Sequence, residues 1–164
     1  KMRSHHSLWC YAGLTPGRKE GNRFYKRICW LAGKSFVRFA SRDECYYGKL
    51  YLKRKTLEWE RNLNGYYSEL ARSLAPRFKK DEARAWYIGV YKDVDFSVSP
   101  PRGIPTKDGC GIPMLSPGYI DARAMRYTIK RFLKDYYRVL RNEQDLVKIG
   151  KTGHLTIALS GQSR

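Results

Sequence analysis

What this sequence lacks narrows it quickly. Acidic side chains are scarce: Asp+Glu number 15 against 33 Lys+Arg, a formal charge of +18 with a pI near 10. Four cysteines, Cys10, Cys29, Cys45 and Cys110, stand at uneven intervals with no C-x-x-C pair. A disulfide framework is therefore not expected, and a reducing, intracellular compartment (nucleoid or cytoplasm) is the default. No apolar run is long enough to span a bilayer, and no signal-like segment opens the chain. A chain that starts at Lys1 with Met2 next reads as a fragment of something longer or as a product whose start is uncertain. Walker, dinucleotide-binding and H-E-x-x-H motifs are missing, as are internal repeats and low-complexity tracts. No cofactor is expected.

The few carboxylates matter for chemistry. Two-metal nucleases need several convergent acids. Asp93 and Asp95 lie close together on a strand or helix end, but no third partner can be argued. Caps and ion pairs with the surplus cations are the expected use of the acids. His5, His6 and Cys10 cluster without standard zinc spacing, and His154 is remote, so no metal site is assigned. Ser35 and Ser41 have no visible base or oxyanion partner, and no catalytic residue is assigned.

What is present is charge and aromaticity. A surface of this charge needs an anionic partner: nucleic acid, membrane or an acidic protein. Aromatic content is 14%, with 13 tyrosines. Rings stack on bases and phenols bond phosphates, so DNA or RNA is favoured over a membrane.

The patterning is mainly α. Residues 8–14 suggest a short apolar helix, followed by a Gly- and Lys/Arg-rich bend over residues 13–21. Asn22 suits an N-cap. The helix after it carries Phe24, Ile28, Leu31, Ala32, Phe36 and Phe39 on one side, which predicts their burial. Residues 41–43 signal a second long helix, with Tyr46, Tyr47, Leu50, Tyr51 and Leu57 as its apolar side. Residues 62–65 (NLNG) break it, and helical character resumes over residues 66–74 before Pro76. A further helix is expected over residues 79–94, with Ala83, Trp86, Tyr87, Val90 and Tyr91 inward. Residues 95–118 hold five of the seven prolines and read as a long irregular loop. Residues 118–142 give the cleanest helix, with one stripe of Ala122, Met125, Ile129, Phe132, Leu133, Tyr136, Val139 and Leu140 and another of cations. The expected organisation is one helical domain over residues 1–145 and a tail over 146–164. Within that tail LTIAL suggests a short strand.

Taken in order, several of these residues resemble a known family. Ser7-Leu8-Trp9, Tyr11-Ala12-Gly13-Leu14, the basic bend, Asn22 to Trp30 and Lys34-Ser35-Phe36 are similar to the C-terminal domain of transposases of the insertion-sequence-110/116/902 family. Tyr46-Tyr47, Tyr51, Lys53 and Lys55 look like its second helix, and Met114 to Ala124 like the Ile-Asp-Ala-Arg-Ala helix of one branch. The resemblance covers about two thirds of the chain. It implies an RNA-guided DNA recombinase whose RuvC-like half carries acidic metal ligands, and whose C-terminal half binds nucleic acid and supplies a serine from the loop after YAGL. That loop here, TPGRKEG, has Thr15 and no serine. Binding is therefore implied better than catalysis.

The expected phosphate contacts are Arg18, Lys19, Arg23, Lys26, Arg27 and Lys34. Lys53, Arg54 and Lys55 form a cluster on the second helix, and Arg123, Arg126, Lys130 and Lys134 one on the last. The expected function is a nucleic-acid-binding domain, with a RuvC-like catalytic domain or further copies of itself as partners. Two alternatives stand beside it. One is a structural RNA-binding or virion-assembly component, in a virion or ribonucleoprotein particle. The other is part of an active recombinase.

Overall fold

The computed structural model describes residues 4–15, 21–90, 92–95, 102–104 and 111–141. The fold is mainly α, as the patterning predicts. Its helices are α1 (His5–Tyr11), α2 (Arg23–Arg38), α3 (Tyr46–Leu63), α4 (Ser68–Leu74), α5 (Asp81–Ile88) and α6 (Pro117–Arg141), with a 3-10 turn at Ala75–Arg77. Two short strands, β1 (Lys92–Asp95) and β2 (Arg102–Ile104), pair antiparallel with an irregular register. LTIAL and most of the long loop lie outside the described residues. The chain divides into two compact units, residues 1–29 with 130–164, and residues 30–129.

In the first unit, the Trp9 indole N–H donates to the Lys130 carbonyl at 3.0 Å, and the Lys130 ammonium sits over the Trp9 ring. The bend after α1 is pinched at its base. Asn22 N–H bonds Tyr11 O at 2.8 Å, and a Cβ on Gly21 would stand 2.7 Å from the Gly13 nitrogen. Only a glycine lets the two backbones approach this closely. Asn22 then caps α2, its Oδ1 accepting from Tyr25 N–H at 2.8 Å.

The core of the second unit is built from Trp59, Tyr67, Ala71, Leu74, Trp86, Tyr87, Met114, Leu115 and Ile120. Gly89 ends α5 in the left-handed region (φ 76°), so the helix predicted to Val94 stops at Ile88. Its carbonyl accepts from Gly111 N–H at 2.7 Å, and Trp86 O accepts from Met114 N–H at 2.8 Å. Those two bonds lay residues 111–114 along the end of α5. Ser116 O then accepts from Ile120 N–H, with Pro117 at the first helical position of α6.

Two helix faces differ from the pattern. On α2 the predicted inward residues Phe24 (73% exposed), Leu31 and Ile28 face solvent, and Phe39 is partly exposed. The buried residue of its outer half is Cys29, and further along they are Gly33 and then Ala40, just past the helix end. The reason is close approach. A Cβ on Gly33 would lie 2.6 Å from Ile129 Cδ1, and one on Gly48 of α3 would lie 2.6 Å from Ala40 Cα. Small residues let helix backbones pack closely, and that contact wins over burial of the larger stripe. On α3 the buried face is Gly48, Tyr51, Glu58, Trp59 and Asn62, while Tyr46 and Leu57 are exposed. The buried face shares only Tyr51 with the apolar side expected, and it carries two polar side chains, Glu58 and Asn62. α6 follows its pattern more closely, burying Met125, Ile129 and Leu133 and leaving Tyr136 and Leu140 partly out.

The corrected face of α2 is testable. Phe24→Ser is expected to change unfolding free energy by less than about 0.5 kcal/mol, as for an exposed site. Denaturant unfolding showing a loss above about 2 kcal/mol would put Phe24 in a core.

Candidate nucleic-acid interface

An α-helix advances 1.5 Å per residue and returns to the same face after three or four, so cations at such spacing form a stripe. On α2, Arg23, Lys26, Arg27 and Lys34 have this spacing, and all four are exposed. The stripe is about 16 Å long at that rise, enough to meet successive phosphates of a strand. Trp30 is part of the same exposed surface, with the Lys34 ammonium 5.4 Å from its ring centroid. The stripe thus combines point charges with an aromatic face, the pairing that suits a phosphate chain carrying bases.

On α6, Arg123, Arg126, Lys130 and Lys134 recur at the same helical spacing. Arg126 is exposed, whereas Lys130 and Lys134 are half-buried. Arg18 and Lys19 lie outside the described residues.

Other expected contacts are engaged internally. Arg54 pairs with Glu58 at 2.5 Å, and its guanidinium lies 4.5 Å from the Tyr127 ring centroid. Arg123 Nε donates to the other Glu58 oxygen at 2.9 Å. The Tyr67 hydroxyl donates to that same oxygen at 2.6 Å. Glu58 itself is 1% exposed. Burial alone would raise its pKa. The hydrogen bonds from Tyr67 and Arg123, with the charges of Arg123 and Arg54, outweigh that and hold the carboxyl below its ordinary value. Lys55 is likewise bound to Asp121 at 3.0 Å, beside a hydrogen bond from the Tyr51 hydroxyl to the same carboxylate. For Asp121 burial also pushes upward, and the bonds from Tyr51 and Lys55, then the charges of Lys55 and Lys34, carry it downward. Burial, followed by the bond to Asp121, pushes the Tyr51 phenol well above its usual range.

The basic cluster of α3 therefore separates. Lys53 is exposed, while Arg54 and Lys55 help tie α3 to α6 within the second unit. The exposed cations named by the sequence are Arg23, Lys26, Arg27, Lys34, Lys53 and Arg126. Sequence reasoning gave Glu58 and Asp121 only as generic ion-pair partners. Asn62, Tyr67 and Tyr127 carried no functional signal of their own.

Tyr25 sits among aromatic and thiol neighbours in the first unit, and its phenol is pushed up to about 12, by burial first and then by Cys29, Tyr136 and Tyr11. The Thr15 hydroxyl lies 3.4 Å from Cys10 Sγ, and the Ser35 hydroxyl donates to Leu31 O at 3.2 Å. Cys10, Cys29 and Cys45 are free thiols. Among the described residues no group of three His, Cys, Asp or Glu is placed to hold a metal ion, and no helix is long and apolar enough to cross a membrane. The groups left at the surface that suit a polyanion are the exposed cations of α2, with Lys53 and Arg126, and the Trp30 ring. No protein-family model, curated protein or solved structure matches the chain.

Proposed function

We propose that this chain is a nucleic-acid-binding domain resembling the C-terminal half of an insertion-sequence-110/116/902-type transposase, and that it binds without catalysing strand exchange on its own. The observation that carries the reading is the one-sided cation stripe of α2, Arg23, Lys26, Arg27 and Lys34, all exposed and set beside Trp30 in a chain of charge +18. Phosphates neutralise such a stripe, and the released counterions drive association. The ordered motifs of the sequence support the transposase likeness. Thr15, in the place where that likeness implies a serine loop, supports a binding part over a nucleophile. A RuvC-like catalytic domain, or further copies of the chain, would complete a recombinase. Free Cys10, Cys29 and Cys45 support a reducing compartment.

The direct test is fluorescence anisotropy with labelled DNA and RNA, comparing the intact chain with Lys26→Ala/Arg27→Ala. Both side chains are exposed, so folding should persist and can be checked by circular dichroism. The double variant is expected to bind roughly tenfold more weakly at moderate salt and to lower the salt slope by about 1.8, two contacts at about 0.9 each on duplex DNA. Unchanged affinity and slope would remove α2 from the interface.

A further inference from the structure

One face of α3 carries a cleft of about 530 Å³ in the second unit, lined by Leu50, Lys53, Arg54, Leu57, Glu60 and by Tyr127 of α6. This volume falls in the range of small-molecule and nucleotide sites. Its walls have three kinds of surface. Leu50 and Leu57 are apolar. Tyr127 presents a partly exposed ring, with the Arg54 guanidinium 4.5 Å from its centroid. Arg54 is held in place by its 2.5 Å pair to buried Glu58 and lies over one face of the ring, so the ring is backed by a fixed cation before anything binds. The two ends differ in charge. Lys53 and Glu60 are seven residues apart on one helix, hence about 10 Å apart along its axis, and both are exposed.

An aromatic ring beside two leucines, with a cation at one end and a carboxylate at the other, has a specific complement. Nucleobases stack on aromatic rings and on arginine planes. A phosphate is attracted to Lys53 and repelled by Glu60. A carboxylate accepts from the exocyclic amino group of a base, as it does from cytosine N4. A paired base in a duplex has both faces stacked and cannot enter.

We propose that this cleft is a subsite for one unpaired nucleotide, its base stacked on the Tyr127 ring that Arg54 backs, its phosphate at Lys53 and its amino edge toward Glu60. The inference rests on the nucleic-acid reading above and adds to it a preference for single strands, with amino-bearing bases favoured over thymine or uracil. Lys53 and Tyr127 supply binding, and Glu60 supplies selectivity.

The test is anisotropy with labelled oligo-deoxycytidine, oligo-deoxythymidine, oligo-cytidine and a short duplex, using the whole chain. Tyr127→Ala is expected to weaken binding of deoxycytidine strands about tenfold, the value of one base stack. Duplex affinity should change less than about twofold. Tyr127→Phe should retain single-strand binding, which controls for folding and for the hydroxyl. Glu60→Gln should reduce the cytosine-over-thymine preference by at least about threefold. Comparison of the deoxy and ribo strands assigns the source as DNA or RNA. Single-strand affinity unmoved by Tyr127→Ala would overturn the subsite, as would equal losses for single strand and duplex. A wild-type chain that binds duplex normally but shows no Tyr127 effect fails this inference alone. One that binds no nucleic acid fails the parent reading, and this subsite with it.

Discussion

Glu58→Ala is expected to cost about 3–5 kcal/mol of unfolding free energy, the typical result of removing one partner from a buried ion pair. Glu58 is 1% exposed and accepts from three groups: Arg54 on its own helix, Arg123 on α6, and the Tyr67 hydroxyl just before α4. Its loss leaves two guanidiniums facing each other with a phenol between them. For a chain of this size the midpoint temperature should fall by roughly 10 °C. Glu58→Gln keeps the shape and one acceptor oxygen, so a smaller loss is expected. Replacing Glu58, Arg54 and Arg123 together by apolar residues of similar volume should recover much of the deficit, because the desolvation cost disappears with the charges.

The same carboxylate sets a pH dependence. Its folded pKa is depressed, so its contribution is complete above the ordinary glutamate range and is lost as pH falls through the folded value. Asp121 acts in the same direction. Stability should therefore hold from neutrality down to about pH 5 and decline below about pH 4, where unperturbed carboxylates protonate. In Glu58→Gln that acid slope should be shallower. Denaturant melts at several pH values check both points, and an acid slope unaffected by Glu58→Gln would show that the site contributes nothing to it.

Asn62→Ala is the second large expected effect, about 2–4 kcal/mol, from two buried backbone groups left without partners. Asn62 is fully buried, and its amide closes a two-bond ring with Leu115. Nδ2–H donates to Leu115 O, and Leu115 N–H donates to Oδ1, both at 2.9 Å. The ring fixes the chain just before α6, beside the core residues Met114 and Leu115. Hydrogen exchange should report the damage locally, with the Leu115 amide losing protection before the amides of α3. Asn62→Asp is expected to be no better than the alanine variant, since it offers no donor to Leu115 O and buries a charge. A loss below about 0.5 kcal/mol for Asn62→Ala would mean that the bonds are replaced by others.

These two residues also show where sequence reasoning stops. Helices were legible wherever apolar spacing, a cap or a breaker agreed: Asn22 before α2, the NLNG break after α3, the apolar stripe of α6. Glu58 and Asn62 were not legible, because a polar residue on a helix gives no local sign of being buried. Its partners, Arg123 and Leu115, are more than 50 positions away. The face of α2 was misread for a related reason. Periodicity locates Phe24, Ile28 and Leu31 on one side, but Gly33 and Ala40 decide which side faces a neighbour. Glycine carries no apolar signal, yet a close helix contact depends on it. The end of α5 was missed because the apolar run continues through Val90, while Gly89 stops the helix by adopting a left-handed backbone. The sequence named cations on α2, α3 and α6 as expected phosphate contacts. It could not separate Lys53, at the surface, from Arg54 and Lys55, whose charges are neutralised by Glu58 and Asp121.

The most direct test of the nucleic-acid reading is a salt titration of binding by the intact chain. Log affinity for a short DNA duplex, measured by anisotropy against log salt concentration, should fall linearly. If the four exposed cations of α2 each meet a phosphate, their share of the slope is about −3.6, at about −0.9 per contact. A total slope of that size or steeper, reduced in Lys26→Ala/Arg27→Ala, is the predicted result. A slope near zero, or no measurable binding to DNA or RNA at low salt, would contradict it.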